Sequence, residues 1–288
     1  MQRSRDLLMA LVLLLAPAVL AHEREAALSI DRERSGPVSS CSEFQVRFGG
    51  GAAVRAEESL PVAGLRSLAV RGPSKGGIYV SPSPDGRFAV TACKAAAAAT
   101  DLALITPSLR GNEVSVSGPP DNDRWVTLLI VRTPRGADLE IEGSNGPVSF
   151  DDVDARVRVR VANGPLSIDG AAGVFDARTK NGPIRLQGGS GDMTLNAKNG
   201  PIIVNLEGTE WKGTLEGRAT NGPVTLAVPG GFQSGVLVEG SRHAPMSCRA
   251  AACEQARRTW DDDRRRIEFG PGAVVVRLSS ENGPVSVR

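Results

Sequence analysis

The stretch "SNGPVSF", Ser144 to Phe150, decides the fold because the chain keeps returning to it. It recurs as "ANGPLSI" (Ala162 to Ile168), "KNGPIRL" (Lys180 to Leu186), "KNGPIIV" (Lys198 to Val204), "TNGPVTL" (Thr220 to Leu226) and "ENGPVSV" (Glu281 to Val287). The first four copies start 18 residues apart. Cut into lines of that length from Asp138, the chain falls into columns. Leu139, Val157, Phe175 and Met193 share one, and Ile141, Val159, Ala177 and Leu195 a second. Past the tripeptide, Val148, Leu166, Ile184 and Ile202 make a third, and Phe150, Ile168, Leu186 and Val204 a fourth.

Within a line the apolar residues alternate with polar ones, which is the period of a strand. Between lines they recur at one fixed interval, which marks a stacked repeat. A single line cannot bury its own apolar face, whereas stacked lines about 4.8 Å apart bury a continuous column. The expectation is an all-β fold: a single-chain parallel β-helix or β-solenoid with rungs of about 18 residues, of either hand. Between two such lines Asp138 falls beside Arg156, Glu140 beside Arg158 and Glu142 beside Arg160. Opposite charges on neighbouring strands stabilise by about 0.2–1 kcal/mol each, so these arginines read as a charge ladder and not as a basic patch.

The repeated tripeptide reads as a structural corner. Its members are Asn145-Gly146-Pro147, Asn163-Gly164-Pro165, Asn181-Gly182-Pro183, Asn199-Gly200-Pro201, Asn221-Gly222-Pro223 and Asn282-Gly283-Pro284. Asn and Gly tolerate positive φ and so make a tight turn. Pro then opens the next strand, where a missing N–H is tolerated. Stacked asparagines can hydrogen-bond along the column as amide ladders do.

Residues 1–21 read as a secretory signal peptide. Arg3 and Arg5 precede the apolar run Leu7 to Leu15, and "APAVLA" ends in small residues at Ala21. Residues 22–40 are charged, lack periodicity and read as a linker. Residues 41–288 form the repeat domain, regular over 138–228 and loop-containing over 229–288. Before the regular part, "FQVRF", "SLAVRG", "GGIYVS", "RFAVTA", "NEVSVSG" and "WVTLLIV" read as less regular rungs. The run Ala95 to Ala99 reads as either a short helix or a loop, and "DDDRRR" at Asp261 to Arg266 as a solvated turn. The last strand runs to the end of the sequence, which predicts an open sheet end able to pair with a second copy.

An exported chain with an even number of cysteines predicts disulfides. Cys248 and Cys253 lie in one loop and form the favoured pair, leaving Cys41 with Cys93. A zinc site is the weaker reading, because the spacings are wrong and the only histidines are His22 and His243.

The formal net charge is +2, and removal of Arg3, Arg5 and Asp6 with the signal lowers it to +1. Nothing there favours nucleic acid. Phosphate loops, dinucleotide fingerprints and metal-binding helix motifs are missing from the sequence. For glycoside hydrolysis the best carboxylates are Asp151, Asp152 and Asp154, with Asp169 one line on from Asp151. Asp151, Asp169, Gln187 and Asn205 share a polar column, read as an outward ladder and alternatively as a cation or sugar site. Trp125, Trp211, Trp260 and Tyr79 are scattered, and His243 lies in the long loop beside Cys248.

At this point the chain resembles a bacterial family of unknown function named "putative adhesin". The likeness is carried by "WVTLLIVRTPRGADLEIEGSNGPVSF", by the repeated Asn-Gly-Pro-aliphatic-x-aliphatic and by the closing "VVVRLSSENGPVSVR", and it covers about residues 65–288. The resemblance implies a β-helix and supplies no catalytic or binding residues. The fixed Pro after Asn-Gly departs from the looser pattern of that family. The expected function is that of a non-catalytic, exported protein without cofactor or metal, an adhesin-like or envelope scaffold and binding protein in the periplasm, on the cell surface or outside the cell. Its expected partner is an envelope or surface component, protein or glycan, with no nucleic acid and no transmembrane anchor after signal cleavage; end-to-end association of copies is the further expectation. A carbohydrate-active β-helix enzyme and an envelope-stress sensor are the alternatives.

Overall fold

The computed structural model describes residues 38–48, 51–62 and 64–288. The predicted signal and residues 22–37 of the predicted linker lie outside the described residues. At the described end of that linker, Val38 is buried beside Phe44, Val46 and Val126.

The described chain is all-β, with a first sheet of 12 strands, a second of 11, and a separate two-stranded pair, Arg47–Phe48 with Gly51–Ala52. The regular part alternates between the two large sheets. Asp138–Asn145, Asp154–Asn163, Ala172–Asn181 and Asp192–Asn199 lie side by side in the first sheet. Val148–Asp151, Leu166–Asp169, Ile184–Gln187 and Ile202–Asn205 do so in the second. All these neighbours pair in parallel, with Leu139 opposite Val157, then Phe175, then Met193. The column of Val148, Leu166, Ile184 and Ile202 is equally in register.

Alternation explains the burial. Along Asp154–Asn163, Ala155, Val157, Val159 and Val161 are buried, while Arg156, Arg158 and Arg160 face solvent. The inward faces of the two sheets meet in one core, where the Phe150 and Phe175 rings pack edge to face, 5.5 Å apart. The fifth Asn-Gly-Pro rung follows an insertion: Met193 pairs with Leu215, 22 residues on instead of 18. The insertion carries Trp211, whose buried indole N–H donates to the Gly191 carbonyl at 3.0 Å.

Two expectations are corrected at the ends. Ser67–Arg71 and Gly76–Pro82 do continue the parallel registers, Leu68 against Leu139 and Ile78 against Val148. Ala89–Ala96 instead pairs antiparallel with both Val54–Leu60 and Trp125–Thr133, and Thr106–Arg110 pairs antiparallel with Glu113–Ser117. Trp125–Thr133 is buried on nearly every residue because a second cluster, with Val38, Phe44 and Val46, covers its other side. The Cys41–Cys93 disulfide pins that covering segment to the sheet. Within the alanine run, Ala95 and Ala96 end a strand, and a short helix spans Ala99–Leu104.

The second correction concerns the sixth rung. Val274–Ser280 and Val285–Val287 are not the end of either sheet. They lie between the fifth rung on one side and Gly235–Ser241 and Met246–Cys248 on the other. Strands that come earlier in the chain therefore pair beyond the last one, and the edge of the second sheet is Met246–Cys248 instead of the predicted last strand. The first sheet finishes instead on the antiparallel strands Arg264–Phe269 and Arg257–Trp260. The acidic run Asp261 to Asp263 makes the turn between them, with Asp261 Oδ1 accepting the N–H groups of Asp263 and Arg264.

Candidate functional site

The Asn-Gly-Pro corner is one exposed edge running along the stack. Asn163 Nδ2 donates to Asn145 Oδ1 at 2.8 Å, Asn181 to Asn163 at 2.7 Å and Asn199 to Asn181 at 2.9 Å. Asn221 donates to Asn199 and Asn282 to Asn221, each at 3.0 Å. Asn145 itself donates to the Ser74 carbonyl, so the ladder is anchored on the preceding rung. The sixth amide joins it although 61 residues separate Asn282 from Asn221.

Glycine serves the corner through contact more than through φ. A Cβ on Gly164 would lie 2.2 Å from the Gly146 carbonyl oxygen, and one on Gly182 would lie 2.0 Å from that of Gly164. Each glycine thus lies directly on the backbone of the one before it. Proline contributes by what it lacks. Gly146 N–H donates to the Asn163 carbonyl and Val148 N–H to the Pro165 carbonyl, so the residue between them needs no N–H of its own.

The outward charges beside this edge pair as the sequence predicts in two of the three places, Asp138 with Arg156 at 3.9 Å and Glu142 with Arg160 at 4.0 Å, and differ only at Glu140. Residue registers are as expected, Asp138 opposite Arg156, Glu140 opposite Arg158 and Glu142 opposite Arg160. One contact slants, Arg160 to Glu140, and Arg158 meets the residue directly opposite it on the other side. Arg160 reaches Glu140 at 3.2 Å and Glu142 at 4.0 Å, while Arg158 turns to Asp176 on the next rung at 4.0 Å.

The polar column of the second sheet holds Asp151, Asp169, Gln187 and Asn205 in register. Burial, with the Asp152 charge beside it, pushes the Asp151 carboxyl up from its ordinary range. Burial first, then the charges of Asp151 and Glu207, pushes Asp169 up, against a smaller opposing pull from Arg185. Glu207, which the sequence reading did not single out, accepts from Gln187 Nε2 at 3.3 Å. Asp152 takes a positive φ of 52° beside this column. Asp154 stands apart from the column, paired with Arg135. Among the described residues no three His, Cys, Asp or Glu side chains are grouped to hold a metal ion. His243 accepts from Arg242 Nε through Nε2 at 2.7 Å and, among the described residues, has no ion pair with a carboxylate.

The cysteines join as Cys41–Cys93 and Cys248–Cys253. A cleft of 540 Å³ opens between the second pair's short helix and the last strands, lined by Val228, Phe232, Glu254, Arg257, Glu268 and Phe269. The tryptophans separate into two kinds. Trp125 and Trp211 are buried and hydrogen-bonded to carbonyls. Trp260, on the terminal strand of the first sheet, is 55% exposed. No helix among the described residues is long and apolar enough to cross a membrane.

No family model and no curated protein matches the chain. Solved structures of similar shape include a "putative adhesin" from Bacteroides fragilis NCTC 9343, at 13% identity and a TM-score of 0.41, covering 81% of this chain and 96% of that one. A "putative cell adhesion protein" from Clostridium sporogenes ATCC 15579 follows, at 9% identity and a TM-score of 0.29, covering 82% and 98%. A "putative lipid binding protein" from Parabacteroides distasonis ATCC 8503 has 9% identity and a TM-score of 0.28, covering 81% and 96%.

Proposed function

We propose that this chain is an exported, non-catalytic β-solenoid that attaches to a component of the cell envelope or of another cell's surface. The observation that carries this reading is the exposed ladder of six amides on a frame of in-register rungs. Each amide spends one N–H on its neighbour and keeps a second for an outside partner. Repeated at strand spacing, these donors form a rigid row that loses little entropy on binding an extended or repeating molecule. The two disulfides support export, since such bonds persist in oxidising compartments.

The test begins with location. Cells producing the protein are fractionated, and intact cells are shaved with protease. Loss of the protein from intact cells, together with its binding to cell surfaces, is the expected result. Retention in the cytoplasm with reduced cysteines sinks the proposal.

A second reading, a carbohydrate-active enzyme, is favoured by the neighbouring carboxyls of Asp151 and Asp169, both raised. Sugar release from a glycan panel, abolished by Asp151→Asn or Asp169→Asn, would establish it in place of the first.

A further inference from the structure

We propose that the terminal strand pair carries a subsite for an acidic polysaccharide, built from Trp260, Arg258 and Arg265; this rests on the surface-attachment reading above. Residues directly opposite in an antiparallel pair share a face, as do residues two apart in a strand. Trp260 lies opposite Arg265, and Arg258 opposite Ile267. All four side chains therefore belong to the face that buries Ile267 and Phe269 further along the sheet. The core stops before it reaches the last strand. Ile267 is 2% exposed, whereas every residue of Arg257–Trp260 faces solvent.

The geometry of this face suits an acidic sugar. The Arg265 guanidinium lies 5.7 Å from the Trp260 ring centroid, and its Nη1 donates to the Ala244 carbonyl at 3.3 Å. One side of the indole thus steadies a cation whose remaining N–H groups are free to meet an anion. The other side is a flat apolar platform of the size of a pyranose ring, whose C–H face packs on such a surface. Arg258 has no hydrogen bond or ion pair among the described residues. Two positions along the same strand, it can meet a carboxylate with two parallel N–H groups.

The opposite face of the same hairpin is different. Arg266 is held by Glu239 at 2.6 Å and by Asp261 at 3.1 Å, and Arg264 lies 4.0 Å from Glu239. Of the hairpin's arginines without an ion pair among the described residues, Arg258 and Arg265 lie on the tryptophan side and Arg257 alone on the other. A net charge of +2 for the whole chain gives no broad basic field for a nucleic acid, while a single aromatic platform between two guanidinium groups fits one charged sugar residue at a time.

The experiment measures binding of the full chain to polygalacturonate and to neutral dextran by titration calorimetry. Binding to polygalacturonate alone is expected, weakening as salt rises. Trp260→Ala and Arg258→Ala should each weaken it about tenfold or more, the range of a buried contact at an interface. Arg264→Ala, already paired on the other face, should leave it within about twofold. Because Trp260 and Arg258 are exposed, both variants should keep the wild-type melting temperature; Trp260→Phe retains the platform and should restore most of the affinity.

Absence of polygalacturonate binding, or equal binding by Trp260→Ala, overturns the subsite. So does transfer of the tryptophan dependence to anionic phosphatidylglycerol vesicles, or to self-association in sedimentation. If cells still capture the protein while polygalacturonate does not, the subsite fails and surface attachment stands. If cells do not capture it, surface attachment fails whatever the polysaccharide does.

Discussion

Arg160 Nη1 lies 3.2 Å from Glu140 Oε1, although the residue directly across the strand pair from Glu140 is Arg158. The diagonal pair decides which charge reversals can compensate. Arg160→Glu should destabilise the chain slightly, and adding Glu140→Lys should recover about 0.2–1 kcal/mol. The same Glu140→Lys should recover nothing in an Arg158→Glu background, because Arg158 turns towards Asp176. Urea denaturation of both double-mutant cycles checks this; equal coupling in the two would contradict the slant.

Glycine in the corner is fixed by the backbone stacked against it. Gly164 has φ 149°, and a Cβ there would lie 2.2 Å from a carbonyl oxygen. Gly164→Ala should cost more than about 2 kcal/mol, as strained backbone positions do. Gly230, with nothing within 4 Å of an added Cβ, is the control. Gly230→Ala should stay within about 0.5 kcal/mol of wild type. The comparison is made by thermal and chemical melting.

The two disulfides should differ in worth. Cys41 and Cys93 are 52 residues apart in sequence, Cys248 and Cys253 only 5. Loop-closure entropy then assigns about 4 kcal/mol to the first and about 2 kcal/mol to the second. Paired Cys→Ser variants, melted under non-reducing conditions, should rank in that order. The first should also loosen the segment around Phe44, read as faster amide exchange there.

Stability should respond to pH through Asp151 and Asp169. Both carboxyls are raised in the folded chain, chiefly by burial, so the native state holds protons that the unfolded chain has released. Their cost is absent below the unfolded pKa and fully present once pH has passed the folded one. Asp169→Asn should therefore raise the melting temperature at neutral pH. The gain should vanish below about pH 4, where the wild-type carboxyl is protonated. A gain that persists there would assign the effect to packing.

The regular rungs were legible because one spacing governs both the turns and the apolar columns, so Leu139, Val157 and Phe175 align on sequence alone. The antiparallel strands were not legible as such. Alternation in Ala89–Ala96 is the same whichever way its neighbour runs. Nor does periodicity record spatial order once the interval breaks, and so the position of Val274–Ser280 between two earlier rungs left no trace in the sequence. Side-chain slant escaped for a related reason: register fixes where Cα atoms lie, while Arg160 is long enough to choose among acids. Trp260 read as one of several scattered aromatics. Its exposure follows from the place where the core runs out, and that depends on the whole strand order.

The intercalated sixth rung also sets an order of assembly. Gly235–Ser241 can fold against Arg264–Phe269 as a local antiparallel unit, but among the described residues its parallel partner is Val274–Ser280. As the chain emerges from its amino end, the fifth rung keeps a raw edge until that partner is delivered. Val274–Ser280 and Val285–Val287 are the keystone, fitted between the fifth repeat on one side and Gly235–Ser241 and Met246–Cys248 on the other. Seating Val276, Leu278, Val285 and Val287 extends the core, completes the amide ladder and secures the cap in one step. A chain clipped before Val274 would carry five of the six Asn-Gly-Pro corners and still leave the edges of Leu215–Asn221 and Gly235–Ser241 without the strand that joins them.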